Sequence, residues 1–170
     1  TAVASSPGQR LLTAGIADAF AASGSVLTAR DDVAVPAVAD RPEDGTTPIV
    51  AATTASAFAK DPGAFQEEHF GPLTLLVRYR DVAELERALS LLEGSLTGTL
   101  WHGAEEDPAL LDGMTAALAR VAGRVLYNGW PTGVAIAWAQ HHGGPWPAST
   151  ASVHTSVGAT AIRRFLTPLT

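Results

Sequence analysis

The sequence predicts an α/β fold, a parallel open sheet with flanking helices, and three features carry that expectation. A continuous apolar run, Leu73-Thr74-Leu75-Leu76-Val77, reads as a strand covered on both faces. Two segments with helical apolar spacing follow, each opened by an aspartate in a capping position, and a further short strand follows each of them. Strands alternating with helices cannot be joined as hairpins, so parallel pairing through right-handed crossovers is expected. With 46% AVILMFWYC over 170 residues, the chain can bury one substantial core, and a single domain over 1–170 is expected.

Each element has its own signal. Leu11, Leu12, Ile16, Phe20 and Ala21 recur at helical spacing, giving a helix over about 7–23 that ends near Gly24. Residues 30–47 hold Asp31, Asp32, Pro36, Asp40, Pro42, Asp44 and Gly45, turn chemistry around a short strand at 33–38. Ile49–Ala52 is the next strand, and 55–60 a short helix. Asp61-Pro62 supplies an N-cap and a proline at the first helical position for one more turn over 62–67, ended at Phe70-Gly71-Pro72.

After the strand at 73–77, Asp81 stands three residues before Glu84, and Val82, Leu85, Leu89 and Leu92 define a helix over about 82–93, stopped by Gly94. Leu96–Trp101 is a strand. Asp107-Pro108 opens a helix with Leu110, Leu111, Met114, Leu118 and Val121 on one face and Gly123 closing it, and Val125–Tyr127 is the last strand of the series. Residues 129–150 hold Trp130, Trp138 and Trp146 with three prolines, which predicts a long ordered loop, since tryptophans at this density disfavour disorder. Residues 156–165 read as a last helix or turn, and 165–169 as extended.

Charge and composition exclude several chemistries. Eleven basic against 17 acidic residues give −6 and a pI near 5.2, the wrong sign for a nucleic-acid partner. No cysteine is present, so the chain supplies no disulfide, no thiolate ligand and no thiol nucleophile. No apolar run approaches the ~20 residues of a membrane helix and no basic-then-apolar leader opens the chain, so no membrane partner and a cytoplasmic location are expected. The chain starts at Thr1 and its one methionine is Met114, which suggests a processed or truncated product.

No G-x-G-x-x-G, no G-x-x-x-x-G-K-[ST] and no G-x-S-x-G pattern is present, so neither a pyrophosphate cradle nor a serine elbow is expected. His141-His142 would point to opposite faces of a strand and lacks a third ligand at metal spacing; no metal site is expected. His69, His102 and His154 stand singly. One stretch has a spacing with a use: Glu67-Glu68-His69-Phe70-Gly71-Pro72 sets carboxylates, an aromatic ring and a rigid bend just ahead of a strand. A carboxylate there can accept hydrogen bonds from ribose hydroxyls while Phe70 packs on a flat heterocycle. The same residues also suit a solvated helix end with Phe70 as a core plug.

Glu68-His69-Phe70-Gly71-Pro72 resembles the E-x-F-G-P signature of the NAD(P)-dependent aldehyde dehydrogenase superfamily, with His69 where a branched aliphatic residue is usual. The stretches from Gly123 to Val134 and from His142 to Ala148 are similar to one branch, the α-ketoglutaric semialdehyde (2,5-dioxopentanoate) dehydrogenases. The resemblance runs from about Leu11 to Pro168 and is strongest over residues 65–165. It implies an incomplete catalytic-domain fold and NAD or NADP as cofactor, with Glu68 on the nicotinamide ribose and Phe70 beside the nicotinamide. It further implies an aldehyde tunnel that includes Asn128, Trp130, Trp138, His142, Gly143 and Trp146, and a terminal segment, 162–170, that adds a strand to a neighbouring copy in a homo-oligomer.

The family reaction needs a cysteine thiolate, and the chain has none, so it holds no catalytic residue of its own. The reading is therefore the C-terminal portion of a dehydrogenase for a small aldehyde, inactive alone and missing an N-terminal dinucleotide-binding domain. Two alternatives stand beside it: a non-catalytic α/β binding or assembly module, and an NADP-linked dehydrogenase of long-chain or aromatic aldehydes. A carboxylate-bearing substrate calls for a cationic or amide clamp, and residues 129–150 contain no Arg or Lys, so such a clamp must come from elsewhere.

Overall fold

The computed structural model describes residues 3–39, 45–131 and 137–170, which leaves Asp40, Pro42 and Asp44, and Thr132, Gly133 and Val134 of the Gly123–Val134 motif, outside the described residues. The chain divides into two compact units, Thr1–Ala88 and Leu89–Thr170. Both are α/β, and each contains a parallel strand pair. Among the described residues, no helix is long and apolar enough to cross a membrane.

In the first unit, α1 (Ala14–Thr28) starts where Thr13 is extended and its Oγ1 accepts the Ile16 N–H at 3.2 Å. It begins seven residues after the expected start at Pro7 and runs five residues beyond the expected end at Ser23. Gly24 is no helix stop: it is buried inside the helix, and a Cβ there would lie in ordinary contact, 3.7 Å from Ile49 Cδ1. Strand β1 (Ala34–Val38) pairs antiparallel with β2 (Ile49–Thr54), with a bulge between Ala34 and Ala37. Strand β2 pairs parallel with β3 (Leu73–Arg78), from Ile49 opposite Leu73 to Thr54 opposite Arg78.

Strand β3 departs from the expectation of cover on both faces: Leu73, Leu75 and Val77 are half-buried while Thr74, Leu76 and Arg78 are exposed. Helix α2 (Ala55–Phe58) leaves β2 directly, capped by Thr54 Oγ1 on the Ala57 N–H at 3.2 Å. Helix α3 (Pro62–Gln66) begins at Pro62 as expected, yet Asp61 does not cap it, because its carboxylate accepts from Arg30 Nη1 at 2.8 Å instead. Arg30 also grips Asp32 with Nε and Nη2 at 2.8 and 3.0 Å and lies 4.5 Å over the Phe65 ring. Phe20, Leu27, Ala51, Ala52, Ala55, Phe58 and Phe65 form the buried centre.

Helix α4 (Val82–Ser90) opens as its sequence predicts, Asp81 Oδ1 accepting the Glu84 N–H at 2.8 Å. In the second unit, β4 (Ser95–Leu100) and β5 (Ala122–Tyr127) pair in parallel, joined by α5 (Pro108–Val121), whose Asp107 cap accepts the Ala109 N–H at 2.9 Å. The expected series of three paired strands is thereby divided: β3 pairs with β2 along its length and β4 with β5, in two sheets. Helix α5 passes straight into β5 at Ala122, so Gly123 does not close the helix.

Gly123 has another reason to be glycine. A Cβ there would strike the Gly143 carbonyl, one at Gly144 the Ser95 carbonyl, and one at Gly94 the carbonyls of Pro145 and Trp146. The loop from 143 to 146 therefore lies backbone against backbone across the first residues of β4 and β5. A 3-10 turn (Ala161–Phe165) matches the expected last helix or turn, and residues 166–170 follow it as exposed chain. Because backbone cannot yield, Gly123→Ala is expected to lower stability by about 1–3 kcal/mol. Gly113→Ala, in the exposed middle of α5 with open space around it, is expected to raise stability by about 0.5–1 kcal/mol. Urea denaturation of both variants checks the opposite signs.

Candidate functional site

The Glu67–Pro72 stretch forms the bend into β3. The Gly71 N–H donates to the His69 carbonyl at 2.6 Å and the Leu73 N–H to the Gly71 carbonyl at 2.8 Å. His69 turns toward α1, with Nδ1 2.9 Å from Ser23 Oγ. Glu67 and Glu68 are exposed, and the Phe70 ring is 65% exposed, so Phe70 is not a core plug. That place belongs to Phe20, whose ring occupies the space a Gly71 side chain would need. The outcome is an exposed carboxylate and an exposed aromatic ring two residues apart on a tight bend.

The remaining candidate residues lie in the second unit. Asn128 sits at φ +48°, a left-handed conformation that asparagine tolerates better than most residues. Its N–H donates to the Leu100 carbonyl at 3.0 Å and its Oδ1 accepts the His102 N–H at 2.9 Å, so the side chain ties the ends of β4 and β5 together. Trp130 meets Trp101 edge to face at 5.7 Å, and Trp130, Trp138 and Trp146 are each about three-quarters exposed. His142 and Gly143 instead line an open groove of about 410 Å³ together with Ser149, Thr150, His154 and Arg164. Asn128, Trp130, Trp138 and Trp146 are not among the residues that line it.

The His142 backbone is held on both sides: its N–H donates to Thr155 Oγ1 at 2.9 Å, and its carbonyl accepts the Ser156 N–H and hydroxyl at 3.0 and 2.9 Å. Thr155 is buried and its hydroxyl donates on to the Val157 carbonyl at 2.8 Å. His154 and Arg164 were not legible as partners of His142, since 12 and 22 residues of irregular chain separate them. Only the Arg163-Arg164 pair within the terminal segment signals a cationic patch.

The most perturbed carboxylate lies elsewhere. Glu84 Oε1 accepts the Ser56 hydroxyl at 2.7 Å and Oε2 the Arg80 N–H at 2.8 Å, and these bonds, with the Arg80 guanidinium, hold its carboxyl down at about 2. A carboxylate held that acidic has no proton to give and is a weak proton acceptor near neutral pH; Glu84 instead locks α2 to the start of α4.

No family model matches the chain. It is 43% identical, over 99% of its length, to α-ketoglutaric semialdehyde dehydrogenase 2 of Azospirillum brasilense, and 44% identical over 61% of its length to α-ketoglutaric semialdehyde dehydrogenase of Acinetobacter baylyi. The chain belongs to the aldehyde dehydrogenase superfamily. It spans about a third of the first relative (32%) and a fifth of the second (20%). Solved structures share its fold. Aldehyde dehydrogenase from Bacillus cereus superposes with a TM-score of 0.60 at 22% identity, covering 79% of this chain and 26% of that one. Betaine aldehyde dehydrogenase from Staphylococcus aureus in complex with NAD+ gives 0.57 at 19%, covering 80% and 26%.

Glu84 sets a pH dependence with a definite sign. Its carboxyl is depressed from 4.5 to about 2, so its stabilising contribution is complete above about pH 4.5 and is lost as pH falls toward 2. Glu84→Gln is expected to remove that part of the acid limb; chemical denaturation of both proteins between pH 2 and 5 checks it.

Proposed function

We propose that this chain is the C-terminal part of an aldehyde dehydrogenase that oxidises a small semialdehyde, 2,5-dioxopentanoate, to the corresponding dicarboxylic acid with NAD or NADP. The observation that carries the reading is the 43% identity, held over 99% of the chain, with a protein named for that semialdehyde. Glu68 and Phe70 fit a nicotinamide nucleotide: an exposed acceptor for ribose hydroxyls stands two residues from an exposed ring that can flank a heterocycle. When bound, that group takes up the hydride released by the aldehyde carbon. An NAD+ complex of a protein with the same fold supports this assignment.

With no cysteine, the chain supplies no thiol to attack the aldehyde, so the nucleophile and the dinucleotide-binding domain belong to the remainder of the enzyme. The chain by itself is inactive. Its role in the whole is to present Glu68 and Phe70 to the nucleotide and to build part of the aldehyde tunnel from the 128–146 region, Asn128 and His142 included. Within the segment 162–170, the exposed chain beyond the 3-10 turn, residues 166–170, pairs with a second copy in a cytoplasmic homo-oligomer. Ile162, Leu166 and Leu169, each more than 60% exposed, offer apolar surface for that pairing.

In the complete enzyme, Glu68→Gln weakens a charged hydrogen bond to the ribose and is expected to lower kcat/KM about 10- to 100-fold. Steady-state kinetics with cofactor and aldehyde varied in turn check it, and unchanged constants remove Glu68 from the site. The 170-residue chain alone is expected to self-associate in sedimentation and to bind a hydrophobic dye, given exposed Leu76, Trp101, Trp130 and Phe165. Aldehyde-dependent reduction of the cofactor by that chain alone would overturn the proposal.

A further inference from the structure

The chain carries −6 overall, yet the groove beside His142 and Gly143 is lined by one arginine, two histidines and hydroxyl residues, with no carboxylate among its lining residues. Its volume of about 410 Å³ is that of a small-molecule site. We propose that this groove binds the carboxylate of the semialdehyde at the end remote from the aldehyde, with Arg164 as the clamp and His154 and Thr150 as flanking donors. The inference rests on the semialdehyde reading and names the specificity-determining residue that reading lacks.

The chemistry favours an anion of this kind. Arg164 is permanently charged, its planar fork matches a carboxylate, and its guanidinium has no ion-pair partner among the described residues, lying 5.8 Å from the Phe165 ring. Ser156 cannot be the donor, because its hydroxyl already donates to the His142 carbonyl, whereas Ser149 Oγ accepts the Ala151 N–H at 3.2 Å and keeps its O–H free to donate. Buried Thr155 holds the backbone of His142, and His142 and Ser156, bonded to each other, both line the groove, so that part of it is shaped before a ligand arrives. The clamp comes from outside residues 129–150, where no cation is found.

The test is made in the complete enzyme, comparing kcat/KM for 2,5-dioxopentanoate with that for pentanal, a neutral aldehyde of equal length. Arg164→Gln is expected to lower the ratio of the two about 10- to 100-fold, through KM for the semialdehyde, and Arg164→Lys to recover part of it. An unchanged ratio, or a rise confined to the KM of the cofactor, overturns the clamp and leaves the semialdehyde reading intact. Oxidation of pentanal but not of the semialdehyde by the unaltered enzyme overturns that reading instead. Calorimetric titration with glutarate then decides the groove alone: weaker binding to the Arg164→Gln enzyme supports the clamp, and equal or absent binding to both overturns it. Should Arg164→Gln not fold, His154→Gln is expected to lower the same ratio, and an unaltered ratio counts against the groove.

Discussion

The second unit depends on one constraint: a loop lies with its backbone directly on the backbone of β4 and β5. Gly94, Gly123 and Gly144 stand at the points of approach, and at each a side chain would meet a carbonyl. Removing Cβ at a strand start is costly in conformational entropy, but it is the only way two peptide groups can come so near. With the loop seated there, His142 is drawn to Thr155 and Ser156, and the irregular chain that follows closes the far side of the groove. The polar lining is therefore a result of how the loop is held, rather than of any regular element carrying those residues.

In the first unit the organising contacts are of a different kind. Arg30 draws Asp32, Asp61 and the Phe65 ring to one point, holding the turn after α1 to the start of α3. The hydrogen bonds from that guanidinium, together with its positive charge, keep the Asp32 carboxyl below its ordinary range. On the other side, Phe20 fills the space over Gly71, which leaves Phe70 turned outward beside Glu68. A core decision at Phe20 thus sets the exposure of a residue fifty positions later in the chain.

These arrangements fit the proposal that the chain is part of a larger enzyme. Several sizeable apolar side chains on regular elements stay open, among them Leu76 on β3 and Val82 on α4, and the tryptophans of the 129–150 region are exposed. A surface of that composition is uncommon on a self-sufficient monomer and ordinary on a domain face. The relatives named for α-ketoglutaric semialdehyde are three to five times the length covered by the match, which agrees with such a division of labour.

The residues by themselves determined the local structure. The aspartate caps at Asp81 and Asp107, the proline starts at Pro62 and Pro108, and the first four strands are where short-range pattern places them, while the fifth begins three residues earlier than expected, at Ala122. The E-x-F-G-P bend and its family were also legible, because a motif is a contiguous record of chemistry. Tertiary structure decided the rest. Gly24 resembles a helix stop although the helix runs on through it, Gly123 resembles one until the backbone that crowds it is known, Asp61 resembles a cap until Arg30 takes its carboxylate, and three strands resemble one sheet until their partners are seen. His142, His154 and Arg164 converge only because an irregular loop is folded onto a sheet, and long-range approach of that kind leaves no periodic trace along the chain.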